Sequence, residues 1–202
     1  MPREKKNLSS TSGGREEAKL KISQAAIRCF ERYGPHRTSM ADISEEAGIS
    51  RKTLYRVFDD RPALIEYILL QRMYIISVKV KKNLEKYETF EESLVDGSIY
   101  SIQVCREDKL FNEIFKRDSN HRVELFLLGP SGQLKADMIE LWSGTIAAGR
   151  AKNQIRDELT DERIVELLAN INSLLLIRED YSYADQRRFL EDFLLPALRP
   201  MI

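Results

Sequence analysis

The sequence contains few of the residues and segments on which enzymes, exported proteins and membrane proteins depend. Only two of its 202 residues are cysteine and two are histidine, and its uninterrupted apolar runs reach four residues at most, as at 174–177. Runs this short cannot cross a lipid bilayer. The first residues, MPREKKNLSSTSGG, also lack the apolar core of a secretory signal. These absences predict a cytoplasmic protein without a membrane anchor.

The cysteines and histidines offer little for metal binding or catalysis. Cys29 and Cys105 each lie in an apolar helical pattern, so we expect buried free thiols rather than a disulfide or a metal pair. A di-iron bundle needs two Glu-x-x-His pairs, whereas this chain offers only Asp118-x-x-His121, and His36 lies in a loop. No nucleophile signature, phosphate loop or zinc spacing occurs in the sequence. We therefore predict no catalytic residue, metal or cofactor.

Charge is balanced over the whole chain but not along it. The net charge is zero, yet residues 1–58 hold twelve Lys or Arg against seven Asp or Glu, a net charge of +5 that leaves −5 for the remainder. A basic first quarter on an acidic body is typical of a segment that meets an anion such as DNA. An excess of this size also arises by chance, so the motifs have to decide.

Apolar residues recur at spacings of three and four along most of the chain, which predicts an all-α fold of about nine helices. No strand pair, tandem repeat or low-complexity block interrupts the pattern. We expect a mobile tail at 1–14, a three-helix N-terminal domain at 15–62 and a C-terminal helical bundle domain at 63–202.

Several helix ends can be predicted from capping residues, glycine and proline. Gly34-Pro35 should end the first helix. Asp60 should cap a long fourth helix, and Thr160 should open another. Pro196 should end the last helix, because proline cannot continue an α-helix from its interior.

The most informative motif is a pair of short helices joined by a tight turn, from about residue 39 to 58. Ser39 and Ser50 are the expected N-caps, and Gly48 supplies a turn residue that tolerates positive φ. Leu54 and Val57, with the phenylalanine that follows, should hold the second short helix against the first two. Two short helices with a glycine-containing turn indicate a helix-turn-helix.

The outer face of the second short helix carries three cations, a hydroxyl and a phenol. These residues are Arg51, Lys52, Thr53, Tyr55 and Arg56. Such side chains can neutralise phosphates and donate hydrogen bonds to base edges in the major groove. A capped surface helix with solvated charges would have the same composition, so the helix alone is not specific.

A longer stretch, IRCFERYGPHRTSMADISEEAGISRKTLYRVFDDRPAL, resembles the DNA-binding domain of the TetR family, the tetracycline-repressor-like regulators. The matching elements occur in order and at family spacing over about 45 residues. They are Phe30, Gly34, Thr38-Ser39, Asp42-Ile43, Ala47-Gly48-Ile49-Ser50, Leu54-Tyr55, Phe58, a basic residue and Leu64.

The resemblance implies a role for each matching residue at the DNA. Thr38, Ser39, Tyr55 and Arg61 would contact phosphates, the last where the family usually has lysine. Arg51, Lys52, Thr53 and Arg56 would face the major groove, and Ser50, which caps their helix, is also expected among the DNA-binding residues. Val57 stands in place of a common His or Tyr, and Pro62 replaces a usual polar residue, so base preference does not follow from the resemblance.

The remainder of the chain is similar in style to the C-terminal domain of the same family, in which the last two long helices form a four-helix dimer core. The stretches are GTIAAGRAKNQIRDELTDERIVELL and FLEDFLLPALRP. A homodimer also suits a palindromic site, because one recognition helix reads only a few base pairs. The expected dimer contacts, which could equally be internal core, are Leu168, Ile171, Leu175, Phe189 and Phe193.

The resemblance also implies a ligand pocket in the C-terminal domain. Its expected lining residues, which could equally be plain core, are Tyr100, Phe111, Phe115, Phe126, Met138 and Trp142. The function expected is that of a transcriptional repressor that binds operator DNA as a homodimer and is released by a small-molecule effector. A DNA-binding protein controlled by a protein partner is the alternative, and a helical-bundle enzyme fits least well.

Overall fold

The computed structural model describes residues 11–117 and 132–200, which are helical and contain no strand. The α-helical segments of these residues are α1 (Thr11–Tyr33), α2 (Met40–Glu46), α3 (Arg51–Val57), α4 (Arg61–Leu84), α5 (Phe90–Glu107), α6 (Lys109–Arg117), α7 (Gly132–Ala151), α8 (Asp161–Ile177), α9 (Tyr183–Phe189) and α10 (Leu195–Leu198). A π-helical turn, Leu190–Leu194, joins α9 to α10. With these last two counted as one helix, the described residues hold nine helices, and the all-α prediction is confirmed.

The chain forms two compact units that divide between Ile68 and Leu69. The first unit contains α1, a 3₁₀ turn (Pro35–Arg37), α2, α3 and the first two turns of α4. Its core is apolar, as the spacing predicts, with Ile22, Phe30, Ile43, Leu54, Leu64 and Ile68 all fully buried. Burial of this apolar surface stabilises α2 and α3, which at seven residues each would be too short to persist alone.

The second unit is built around α5, which packs on α6, α7, α8 and α9. The largest fully buried side chain here is Trp142 of α7, and Leu94, Phe111 and Ile114 are buried with it. Cys29 in the first unit and Cys105 in the second are both buried free thiols, as expected. No helix in the described part of the chain is long and apolar enough to span a membrane.

Most predicted helix starts agree with the hydrogen bonding. Asp60 Oδ1 accepts from the N–H of Ala63 at 2.7 Å at the start of α4. Thr160 Oγ1 accepts from the N–H of Arg163 at 3.4 Å at the start of α8. These caps satisfy N–H groups that have no partner within the helix.

Two predicted ends differ from the structure. Helix α1 begins at Thr11, so residues 11–14 are helical although they were expected in the tail. Glycine lowers helix stability by only about 1 kcal/mol, so Gly13 and Gly14 do not stop a helix that packs well further along. Helical structure also continues past Pro196, because the preceding turn is π-helical and the usual clash of the proline ring with the carbonyl four residues earlier is avoided.

Candidate nucleic-acid interface

The turn between α2 and α3 is held by side-chain caps at both helix starts. The Ser39 hydroxyl accepts from the N–H of Asp42 at 3.2 Å, and the Asp42 carboxylate accepts from the Ser39 N–H at 2.8 Å. Gly48 lies between the helices at φ 65°, a conformation that favours glycine. The Ser50 hydroxyl then accepts from the N–H of Thr53 at 3.1 Å. The predicted helix-turn-helix is therefore formed with its predicted caps.

The carboxylates of α2 are already engaged within the unit. Hydrogen bonds from the Ser39 N–H and hydroxyl hold the pKa of Asp42 below its ordinary value. Arg28 of α1 donates from Nε to Glu46 at 2.7 Å, and this bond lowers the pKa of Glu46. Arg32 reaches the other oxygen of Glu46 at 3.8 Å. The negative charge of Glu46 is thus countered by α1 and adds little to the field outside.

Helix α3 has one buried face and one exposed face. Leu54, Val57 and the C-capping Phe58 are buried against the rest of the unit. The exposed residues are Arg51, Lys52, Tyr55 and Arg56, with Thr53 half-buried. None of these three cations forms an ion pair with any described residue, so their charge is directed to solvent. Tyr55 is 48% exposed, which leaves its side chain accessible to a partner.

Thr38 does not suit the phosphate contact that the resemblance implies. The residue is only 3% exposed, and its hydroxyl donates to the Gly34 carbonyl at 2.9 Å. This bond closes the turn that follows α1, where Gly34 lies at φ 83°. Thr38 is therefore a structural residue in this unit, whereas its neighbour Ser39 is exposed.

Arg61 links the start of α4 to the turn before α2. Its guanidinium donates to the Pro35 carbonyl at 2.8 Å, and the side chain is half-buried. Further along α4, the Tyr67 hydroxyl donates to Glu16 of α1 at 2.7 Å. These contacts join α4 to the turn before α2 and to α1.

Comparison with known proteins agrees with this geometry. The model of the family described as bacterial regulatory proteins, tetR family, matches residues 22–68, which span α1 to the second turn of α4. The chain is thus similar to helix-turn-helix transcriptional regulators of the TetR family, with an N-terminal helix-turn-helix unit that matches the family model and a C-terminal helical unit.

Similarity to individual TetR-family proteins extends over the whole chain. An uncharacterised HTH-type transcriptional regulator of Mycobacterium tuberculosis is 26% identical over 189 residues, 92% of this chain and 87% of that protein. A TetR-family regulator of Pectobacterium atrosepticum shares the fold with a TM-score of 0.68 at 19% identity, covering 95% of this chain and 98% of the other. RolR, solved with resorcinol bound, aligns with a TM-score of 0.63 at 17% identity over 93% and 90% of the two chains.

The second unit contains a cavity between α4, α5, α6, α7 and α8. Three of the predicted lining residues, Phe111, Met138 and Trp142, are in its wall, and Tyr100 is not. Phe126 and the side chain of Phe115 lie outside the described residues. The cavity volume is about 70 Å³, well below the roughly 300 Å³ of a site for a drug-sized ligand.

Sequence reasoning missed the polar part of this wall. Asn172 and Ser173 of α8 line the cavity, together with Ser77 of α4 and Ser101 of α5. The signal was present in the sequence, since Asn172-Ser173 interrupts an otherwise apolar stripe in α8. A polar pair on a buried helix face is informative because buried polar groups need partners. No described group of three or more His, Cys, Asp or Glu side chains could hold a metal ion.

Two of the expected dimer contacts are wrong. Leu168 and Leu175 of α8 are fully buried inside the single chain, so they have no surface to offer a partner. They lie on the same face of α8, because seven residues are close to two helical turns. Ile171 and Phe189 are half-buried, and Phe193 is 60% exposed.

The exposed apolar residues of the same helices lie on another stripe, which the sequence analysis did not select. Leu174 is 45% and Ile177 is 58% exposed on α8, one turn apart and one turn beyond Ile171. The large apolar residues exposed on α8, on α9 and on the π-helical turn that follows it are Leu174, Ile177, Tyr183 and Phe193.

Proposed function

We propose that this protein is a TetR-like repressor that binds a two-fold symmetric operator as a homodimer and leaves it when a small molecule enters the C-terminal cavity. The observation that carries the DNA-binding part is the two-faced α3. Its apolar face is buried and its start is capped, while Arg51, Lys52 and Arg56 project without ion-pair partners in the described structure. A rigid helix with unpaired cations is suited to enter the major groove.

The exposed side chains divide into two roles in this proposal. Arg51, Lys52, Thr53 and Arg56 read base edges, since arginine and lysine pair with the acceptors of guanine and hydroxyls pair with several bases. The phosphate contacts come from Ser39, Ser50, Tyr55 and Arg61, which carry hydroxyl or guanidinium donors at the starts of helices or beside the reading face. Thr38 is left out because its hydroxyl is used internally.

The dimer part of the proposal rests on exposed apolar side chains near the C-terminus. Isolated exposed apolar residues need no explanation, but Leu174 and Ile177 are large and lie one turn apart on α8, and the large Phe193 is exposed in the π-helical turn after α9. Pairing of α8 and α9 with their copies would bury them. Two-fold symmetry then brings two α3 helices to the two halves of a palindrome.

Ligand control is supported by the cavity and by the fold. RolR, which has a similar fold, was solved with resorcinol, and the cavity wall here is mostly apolar with a few polar groups. A ligand that prefers the DNA-incompetent arrangement must lower operator affinity, and the operator must lower ligand affinity by the same factor. A coupling of about 1–3 kcal/mol corresponds to roughly 5- to 150-fold release.

The DNA-binding proposal is tested by operator selection followed by titration at several salt concentrations. Purified protein should select a palindrome from random duplex DNA, and affinity should fall by roughly 10³-fold or more between about 50 and 200 mM salt, because each phosphate contact releases counterions. Lys152→Ala, which removes an exposed cation far along the chain from the motif, is the matched control and should keep the same affinity. Selection of no sequence, or affinity independent of salt, would contradict the proposal.

The small volume of the cavity favours one competing function, a DNA-binding regulator controlled by a protein partner. The two functions differ in a simple measurement. Thermal unfolding with a panel of small metabolites should show stabilising ligands that also weaken operator binding. Ligands that stabilise the protein and leave operator affinity unchanged would favour control by a protein partner.

A further inference from the structure

The wall of the C-terminal cavity is apolar over most of its area, and its polar groups have a particular character. Apolar side chains come from every contributing helix, among them Ile76, Ile102, Phe111, Trp142 and Leu176. The polar groups are hydroxyls, one carboxamide and one carboxylate. Among the described residues of the wall there is no lysine, arginine or histidine.

One fully buried polar atom among the wall residues has no hydrogen-bond partner. The carboxamide oxygen of Asn172 is buried and accepts no hydrogen bond in the described structure. A buried acceptor without a donor costs about 1–3 kcal/mol, so its persistence calls for a group that enters the cavity. Asn172 lies on α8 beside Ser173, and the described wall around both residues contains no cation.

The charged group of the wall is already engaged. The Asp137 carboxylate accepts from the side-chain amide of Gln133 at 2.6 Å. A neighbouring cleft shares Ser77 and Asp137 with the cavity and contains Lys81, which pairs with Glu140 at 3.2 Å. Because the described cavity wall holds no cation, an anionic ligand would meet Asp137 without a compensating charge in the wall.

The interior near α5 is poorly solvated. Cys105 lines the cavity, and burial raises the pKa of its thiol to about 12. A wall of this kind penalises a charged ligand, since transfer of an ion from water to an apolar site is costly without a paired counter-charge. It accepts an uncharged molecule whose one polar group meets a polar partner.

We infer that the cavity takes a small uncharged molecule, apolar over most of its surface, that donates one hydrogen bond to the carboxamide oxygen of Asn172. This inference rests on the ligand control proposed above and names the chemical class of the effector. A hydroxyl on a single ring meets the requirements of charge and polarity. The volume of about 70 Å³ is below the roughly 150 Å³ of a cavity that holds benzene, so such a ring extends into the opening or widens the cavity slightly.

The test uses the full chain and four one-ring probes: phenol, anisole, benzoate and benzylamine. Trp142 is the single tryptophan of the protein and lies in the cavity wall, so its emission reports binding directly. Phenol should bind roughly 2- to 12-fold more tightly than anisole, which lacks the donor, as expected for one neutral hydrogen bond. Benzoate and benzylamine should both bind more weakly than phenol.

Two variants assign the acceptor. Asn172→Leu should reduce the phenol-to-anisole ratio to about one, whereas Asn170→Leu, the same change two residues earlier in α8 and outside the cavity wall, should keep the wild-type ratio. Thermal unfolding checks that each variant is folded, and the wild-type ranking decides the inference if Asn172→Leu is not. Anisole equal to phenol, strongest binding of either ion, or a ratio that survives in Asn172→Leu would overturn it.

The operator assay separates this inference from the proposed function. Each sample is also titrated with operator DNA, first without any probe. Absence of operator binding would overturn the proposed function whatever the probes do. Operator binding with the predicted probe ranking supports both, and operator binding with a different ranking overturns only the inference about the ligand.

Discussion

The two units of the chain differ in how their functional residues are distributed. In the first unit the interface is formed by about twenty consecutive residues, and the family model matches 22–68, entirely within that unit. In the second unit the cavity wall draws on residues from Met73 to Leu176. A solved TetR-family structure shares the fold over 95% of this chain at 19% identity, so the fold is kept with few identical residues.

The two units distribute their functional residues differently because their proposed binding partners, DNA and a small molecule, differ. Every operator presents the same phosphate spacing and the same groove width, so the side chains that meet it are constrained in type and order. A small-molecule pocket only has to match one ligand, and a fold accommodates many. Residues that meet DNA can therefore be recognised in a local pattern, whereas those that meet a ligand cannot.

The largest expected effect separates the core of the second unit from its exposed apolar stripe. Leu175→Asp should unfold the protein, because an unpaired buried carboxylate costs several kcal/mol, a large part of the roughly 5–15 kcal/mol that stabilises a domain. Phe193→Asp changes an exposed residue and should leave a folded chain that is monomeric and binds operator weakly. Circular dichroism and sedimentation measure the two outcomes.

A folded Leu175→Asp protein would contradict this distinction between core and exposed stripe. If Leu175→Asp is folded and monomeric, the stripe that contains Leu168 and Leu175 is the dimer contact after all. Ile177→Asp serves as a second exposed-site variant, and it should match Phe193→Asp in sedimentation. A dimer that persists in both exposed-site variants would place the contact elsewhere.

The next effect lies within the DNA-binding unit and divides its exposed side chains. Arg51→Ala or Lys52→Ala should change the preferred base at one position and cost about 1–3 kcal/mol in operator binding if the side chain reads a guanine. Tyr55→Phe and Arg61→Ala should weaken binding to all sequences alike, because they remove phosphate contacts. Selection from random duplexes measures the site preference of each variant, with Lys152→Ala as control. Identical site preferences for the wild type and both base-facing variants would contradict the assignment.

A smaller effect distinguishes two neighbouring hydroxyls. Thr38→Val should lower the free energy of unfolding by about 1 kcal/mol, since it removes the bond to Gly34, and should leave the salt dependence of operator binding unchanged. Ser39→Ala should cost a similar amount through its lost cap and should also reduce the salt dependence. Chemical denaturation and DNA titration give both numbers. A Thr38→Val protein of normal stability with weaker DNA binding would restore the phosphate contact that the resemblance implies.

The smallest expected effect concerns the Cys105 thiol and is seen only at alkaline pH. The pKa of Cys105 is raised from 9.0 to about 12 by burial, so the thiol favours the folded state fully below its ordinary pKa and loses that contribution as pH rises toward 12. The free energy of unfolding should therefore decline at alkaline pH more steeply in the wild type than in Cys105→Ala. Urea denaturation from pH 7 to 10 measures the two slopes, and equal slopes would show that the thiol is solvated.

Much of the fold followed from local signals. The caps at Ser39, Asp60 and Thr160, the turn at Gly48 and the apolar stripes act within one or two helical turns, so neighbouring residues suffice to predict them. Local signals failed at Thr11, where packing further along carried a helix through two glycines, and at Pro196, where a π-helical turn relieved the clash of the proline ring.

Helical periodicity and local motifs are enough to specify the helical class, the helix-turn-helix and the outward face of α3, since periodicity alone separates Leu54 from Arg51 and Lys52. The packing of the other helices specifies which hydroxyl of Thr38 and Ser39 is exposed, which stripe of α8 is core and that Asn172 lies in a cavity wall. Burial depends on what the other helices cover, and the helices that enclose α8 come from residues up to about a hundred positions away. No pattern within α8 specifies which of its apolar faces they choose.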